Sequence, residues 1–277
     1  MIHQILSLAL VSVALTSAEA KPSQVPVKTA TPKKATSVVY DTVFYLEKGG
    51  HRMVEAVLAK SNEGKSDIDD CYIYGDVNII KKVLDDVPVS LINLVETRDM
   101  TQMIDTCNVL LLTKLESGTF HLYPKGVANA ATNHGFLIYP GTKWCGAGNV
   151  AERYEDLGPA QETDICCRAH DHCNDTIPSL QTKYGLKNVA LYTKSLCDCD
   201  DVFSWCLKKA NTKTSNGIGR VFFNVLQVQC FKLEHPVVKC LRYKGLPLIY
   251  SSCQEYQLDK DKSHEWQWFD AQYYDSS

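Results

Sequence analysis

His170 and Asp171 stand in the run Asp164-Ile-Cys-Cys-Arg-Ala-His-Asp-His-Cys173, and Asp200 stands in the run Cys197-Asp-Cys-Asp-Asp201. An imidazole held by a buried carboxylate has its tautomer and ring direction fixed, and its other nitrogen is then free to act as a general base. Whether His170 and Asp200 meet depends on the cysteines around them. Cys166 and Cys173 are seven residues apart, about two helical turns, so on a helix they share one face. Cys199 and Cys206 repeat that spacing. Pairing 166 with 206 and 173 with 199 keeps the sum of residue numbers constant, as two antiparallel helices bridged at two levels require. Spacing alone does not fix connectivity, so this pairing is an expectation. His170 then falls on the inner face between the two bridges, with Asp200 across the gap beside Cys199. A second reading stays open at this point: a buried histidine satisfied by a structural aspartate.

Upstream lies Trp144-Cys-Gly-Ala-Gly-Asn149. A loop with Gly146 and Gly148 can turn sharply and point several carbonyl oxygens inward. Calcium takes about six to eight hard oxygen ligands, often with a carboxylate among them. The carbonyls of Trp144, Gly146 and Gly148, a bidentate Asp171 and water would fill such a shell. A bridge from Cys145 to Cys167 would bring the loop beside the helix of His170. Zinc is disfavoured despite the ligand-rich run, because zinc needs thiolates and an oxidising compartment favours disulfides. A serine hydrolase is disfavoured too, since no G-x-S-x-G elbow occurs.

The rest of the chain must position these groups. It has 277 residues, a net charge of −3 and twelve cysteines, ten of them after residue 144. The charge gives no reason to expect a nucleic-acid partner. Residues 1–20 read as a secretory signal, with an apolar run from Ile5 to Leu15 and an Ala18-Glu19-Ala20 cleavage pattern. An even cysteine set behind such a segment reads as an extracellular disulfide framework. No later segment has the roughly 20 apolar residues of a membrane span. Residues 21–37, rich in Pro, Lys, Thr and Ser, read as a linker. Residues 38–134 read as a mixed α/β pro-region or accessory domain without a chemical motif, and so as dispensable for chemistry. Its first segment is β-prone, and residues 89–115 read as a helix followed by a strand. Its two cysteines, Cys71 and Cys107, can pair with each other. A turn signal at Asn133-His134-Gly135 marks the boundary, and residues 136–277 read as the catalytic domain.

The runs YPGTKWCGAGN, DICCRAHDHC, CDCDDVFSWC, FFNVLQVQCFKLEHP and WQWFD resemble the group III, bee-venom-like, secreted phospholipases A2. The resemblance covers residues 136 to about 271, roughly half the chain. It implies a mainly α-helical, disulfide-stapled domain with two antiparallel catalytic helices and a small β-wing. It implies His170 as general base, Asp200 as its orienting partner, and Ca²⁺ held by Asp171 with the carbonyls of Trp144, Gly146 and Gly148. It also implies bridges 145–167, 166–206, 173–199, 197–230 and 240–253. The substrate would be a phospholipid membrane surface or micelle, cut at the sn-2 ester into a fatty acid and a lysophospholipid. Phe222 departs from the pattern, standing where the bee enzyme has a tyrosine. Two other readings compete. One is a phospholipase-like secreted protein that binds a receptor or channel with little activity. The other is a structural cysteine-rich protein, which gives no reason for a glycine loop beside His-Asp.

Overall fold

The computed structural model describes residues 39–60, 66–119, 137–190, 192–246 and 250–275. The signal segment, the linker and the boundary expected near residues 133–135 lie outside them. The described residues all belong to one compact unit, Val38–Ser277.

Stretches rich in β-branched and aromatic residues open the fold as three antiparallel neighbours, β1 (Val39–Glu47), β2 (Met53–Lys60) and β3 (Ser66–Tyr74). Gly49 and Gly50, with φ of 110° and 74°, turn the chain between β1 and β2 in a region closed to most side chains. Helix α1 (Val77–Leu84) starts where Asp76 accepts from the amides of Asn78 and Ile79. The chain then returns as β4 (Ile92–Val95), parallel to β1, and gives the sheet order β3-β2-β1-β4.

Helix α2 (Thr97–Ser117) follows and ends on Gly118 in the left-handed conformation. Residues 89–115 therefore run strand then helix, the reverse of the order expected from their sequence. Met100, Ile104, Cys107, Asn108 and Leu111 recur at helical spacing on the buried face. That period overrides the strand-like look of Val109-Leu110-Leu111-Leu112. A Cys71–Cys107 bridge staples β3 to α2.

The second half holds α3 (Gln161–Asp171), α4 (Cys197–Ala210) and α5 (Lys213–Gly219), then a π-helical turn, Arg220–Val225. Two minimal hairpin-like pairs lie between α3 and α4. They join β5 (Thr176–Ile177) to β8 (Lys194–Ser195) and β6 (Thr182–Lys183) to β7 (Leu186–Lys187). After the π turn, β9 (Gln229–Glu234) pairs with β12 (Glu265–Asp270), and β10 (Val237–Leu246) with β11 (Tyr250–Leu258). Within residues 137–275 strand and helix take comparable shares, so the mainly α description expected for this domain is not borne out, while the first half is mixed α/β as expected. Bridges at 197–230 and 240–253 hold β9 to α4 and β10 to β11, and ribbons fixed in this way need no helix to cover them.

Two buried clusters matter for the site. One gathers Trp144, Cys166, Cys167, Phe203, Leu207 and Phe223 around α3 and α4. The other joins Val54, Ile73, Met100, Ile104 and Leu111 of the first half to Ile138 and Val150 of the second. Burying one aliphatic side chain of this size contributes about 1.5–3 kcal/mol, so this shared cluster is a substantial bond between the halves. Among the described residues no helix is long and apolar enough to cross a membrane.

Candidate active site

Helices α3 and α4 are joined by two bridges, Cys166–Cys206 and Cys173–Cys199, so the order of cysteines along one helix is reversed along the other. Between the bridges His170 Nε2 lies 2.7 Å from Asp200 Oδ1. The His170 side chain is 13 % exposed and that of Asp200 4 %, which leaves the imidazole reachable and the carboxylate dry. Burial pushes the Asp200 carboxyl above the ordinary range, while the hydrogen bond and charge of His170 pull it back. The imidazole stacks on Phe203 at 4.5 Å and meets Phe222 edge-on at 5.3 Å. Its Nδ1 has no hydrogen-bond partner among the described residues, so one nitrogen is oriented and the other is available.

The glycine loop is fastened to α3 from its own side. The buried Asp164 carboxylate accepts from the amides of Lys143 (2.9 Å), Trp144 (2.8 Å) and Gly158 (2.8 Å). Its pKa is raised by burial, and those three amides oppose the shift. Cys145 is bridged to Cys167, one turn before Asp171. The indole N–H of Trp144 donates to the carbonyl of Asp156 at 2.8 Å. Gly148 sits at φ +67°, and a Cβ on Gly146 would come within 2.5 Å of the Leu137 carbonyl oxygen, so glycine is required at both. The carbonyls of Trp144 and Gly146 accept no hydrogen bond from another described residue.

A protein-family model described as Phospholipase A2 matches residues 138–234. A curated Phospholipase A2 from Apis dorsata is 45 % identical over 140 residues, which are 50 % of this chain and 100 % of that protein. A Phospholipase A2 from Xylocopa aruana is 48 % identical over 135 residues, 49 % of this chain and 72 % of that one. The chain belongs to the phospholipase A2 family. An Acidic phospholipase A2 PA4 from Heloderma suspectum is 48 % identical over 100 residues, 36 % of this chain and 70 % of that protein.

Asp171 closes α3 as an exposed residue. Enough protein crowds its carboxyl that desolvation raises its pKa well above the ordinary carboxylate range, with the charge of Asp164 adding to the rise. A hard cation beside it would offset both effects. The Trp144 and Gly146 carbonyls and the Asp171 carboxyl are all oxygen donors, the ligand type that calcium takes.

Sequence reasoning on this phospholipase A2 domain passed over Asp164. The available signal was its position two residues before Cys166 and seven before Asp171, which puts it on the same helix face as Asp171. It also passed over Lys143, buried in the loop with its ammonium 2.8 Å from both Asp156 and Asp105. Asp105 belongs to α2, so no spacing near the motif points to it.

Proposed function

We propose that this phospholipase A2 is a secreted, calcium-dependent enzyme that hydrolyses the sn-2 ester of glycerophospholipids, with His170 as general base and Asp200 as its orienting partner. The observation that carries the proposal is the 2.7 Å contact between His170 Nε2 and a buried Asp200 on a twice-bridged helix pair. Nε2–H donates to Asp200, and Nδ1 takes a proton from water. The hydroxide so formed attacks the sn-2 carbonyl carbon. The imidazolium is stabilised by Asp200 and returns its proton to the departing glycerol oxygen, so no covalent enzyme intermediate is needed. Calcium, when bound, supplies a Lewis acid at the sn-2 carbonyl oxygen. Asp171 and the carbonyls of Trp144, Gly146 and Gly148 would hold it. Phe203 and Phe222 keep bulk water from the imidazole face.

The same reading assigns residues 1–20 to export, 21–37 to a linker and 38–134 to an accessory region. Export is supported by six bridges that use all twelve cysteines. The test is fatty-acid release from phosphatidylcholine vesicles by wild type and Asp171→Asn, in calcium and in excess chelator. Release should vanish in chelator, and the variant should need far more calcium. Full activity in chelator would contradict the mechanism.

A further inference from the structure

The glycine loop is gripped from a second side, by residues that carry no chemistry. Gly75, just after β3, forms a parallel backbone bridge with Gly148. The two chains approach so closely that a Cβ on Gly75 would lie 2.7 Å from the Asn149 carbonyl oxygen. One on Gly148 would lie 2.5 Å from the Gly75 carbonyl oxygen. The amide of Ile138 donates to the carbonyl of Ile73 at 3.1 Å, continuing the contact along β3. Asn108 of α2, fully buried, donates to the Thr142 carbonyl and accepts from the Gly141 amide, both at 3.1 Å. Arg52, buried just before β2, donates to the Val150 carbonyl at 3.3 Å while Glu47 holds its other nitrogens.

These contacts meet the loop before, within and after its Trp144–Asn149 core. They come from a layer outside residues 138–234, the span matched by the phospholipase A2 family model. A stretch without chemical motifs reads as dispensable, but its contacts here fall on the backbone whose carbonyls would face the cation.

We propose that the layer formed by residues 39–118 braces the glycine loop and thereby sets the calcium affinity of this enzyme, with Gly75, Asn108 and Arg52 as positioning residues. The proposal rests on the calcium site described above, and the experiment separates the two. A ligand cage of carbonyl oxygens is only as tight as the backbone that aims them. Gly75→Ala would push the Gly148-Asn149 backbone away from β3. Asn108→Ala would release Gly141 and Thr142 from α2. Both act on the cage without replacing a proposed ligand, Gly75 through its backbone bridge to Gly148 and Asn108 through Gly141 and Thr142.

Full-length wild type, Gly75→Ala, Asn108→Ala and the control Val109→Ala, which changes an exposed neighbour on α2, are titrated with calcium by calorimetry. They are separately unfolded by heat in EDTA. Both brace variants should bind calcium about tenfold more weakly or worse, within the usual range of coupling between sites. Val109→Ala should match wild type. A merely structural layer would lower the unfolding midpoint and leave the Kd of the folded protein unchanged, and that result overturns the proposal. If Gly75→Ala does not fold, Arg52→Lys, which keeps the charge and loses the second guanidinium arm, takes its place. A wild type that binds no calcium overturns the calcium site itself, whereas calcium binding that the variants leave unaltered overturns only the brace.

Discussion

Replacing Asp200 by asparagine should slow turnover and stabilise the fold at the same time. The side chain keeps its shape, and its amide oxygen can still accept from His170 Nε2–H, so the ring stays oriented. What is lost is the negative charge 2.7 Å from the imidazolium that forms when Nδ1 takes a proton. A hydrogen bond to a charged partner contributes about 1.5–3 kcal/mol, which corresponds to roughly 10–150-fold in kcat. Stability should move the other way. Burial raises the Asp200 pKa in the folded state, so its ionised form opposes folding. For a carboxyl with a raised folded pKa, wild-type stability falls as pH rises from the unfolded value, about 3.9, through the folded one. Asp200→Asn lacks that loss. It should be more stable than wild type at pH 7, with the advantage gone near pH 3. Steady-state kinetics on monomeric substrate and urea unfolding at the two pH values, disulfides intact, measure both. Unchanged kcat, or a variant less stable than wild type at pH 7, would refute the reasoning.

Glu47 has the opposite sign. Its pKa is lowered, first by its hydrogen bonds to Arg52, so its contribution is present above the ordinary glutamate value and lost as pH falls through the folded one. Glu47→Gln removes the anion that holds two nitrogens of buried Arg52, leaving, among the described residues, only Glu152 at 4.0 Å, and should cost up to about 3–5 kcal/mol at neutral pH, a gap that urea titrations should find closing towards pH 3. Cys173→Ala with Cys199→Ala opens a 26-residue separation and should cost about 3–4 kcal/mol. It should also lower kcat, because one of the two staples around His170 is gone; an unaltered kcat would mean that the bridge does not hold the pair. Phe222→Tyr should be at least as stable as wild type, with the Asp200 pKa lowered by the new donor in NMR titration. Destabilisation with Asp200 unmoved would show a hydroxyl buried without a partner.

The His170–Asp200 contact was legible because two regularities coincide, the 3.6-residue helical period and the seven-residue cysteine spacing, and together they dictate which side chains face each other. All five bridges implied by the family resemblance are present, as is Cys71–Cys107. Asp164 was missed because a buried carboxylate that only accepts from backbone amides leaves no mark in sequence beyond its place on the face. The brace was less legible still. Gly75, Arg52 and Asn108 are ordinary residues far from the motif, and their contacts exist only once one half is docked on the other. The reversed strand and helix in residues 89–115 came from reading a short apolar run locally, when burial against β3 decides its form. The mainly α description failed on β9 to β12, ribbons that two bridges hold without a thick core.

The central claim is that His170 activates the water that cleaves the sn-2 ester. Its most direct test is hydrolysis of phosphatidylcholine labelled in the sn-2 acyl chain by wild type and His170→Gln, in calcium, with circular dichroism to show that both are folded. Wild type should release the labelled acid, and the variant should be slower by about 10²–10⁴-fold. A folded His170→Gln enzyme that releases the sn-2 chain at the wild-type rate would contradict the account.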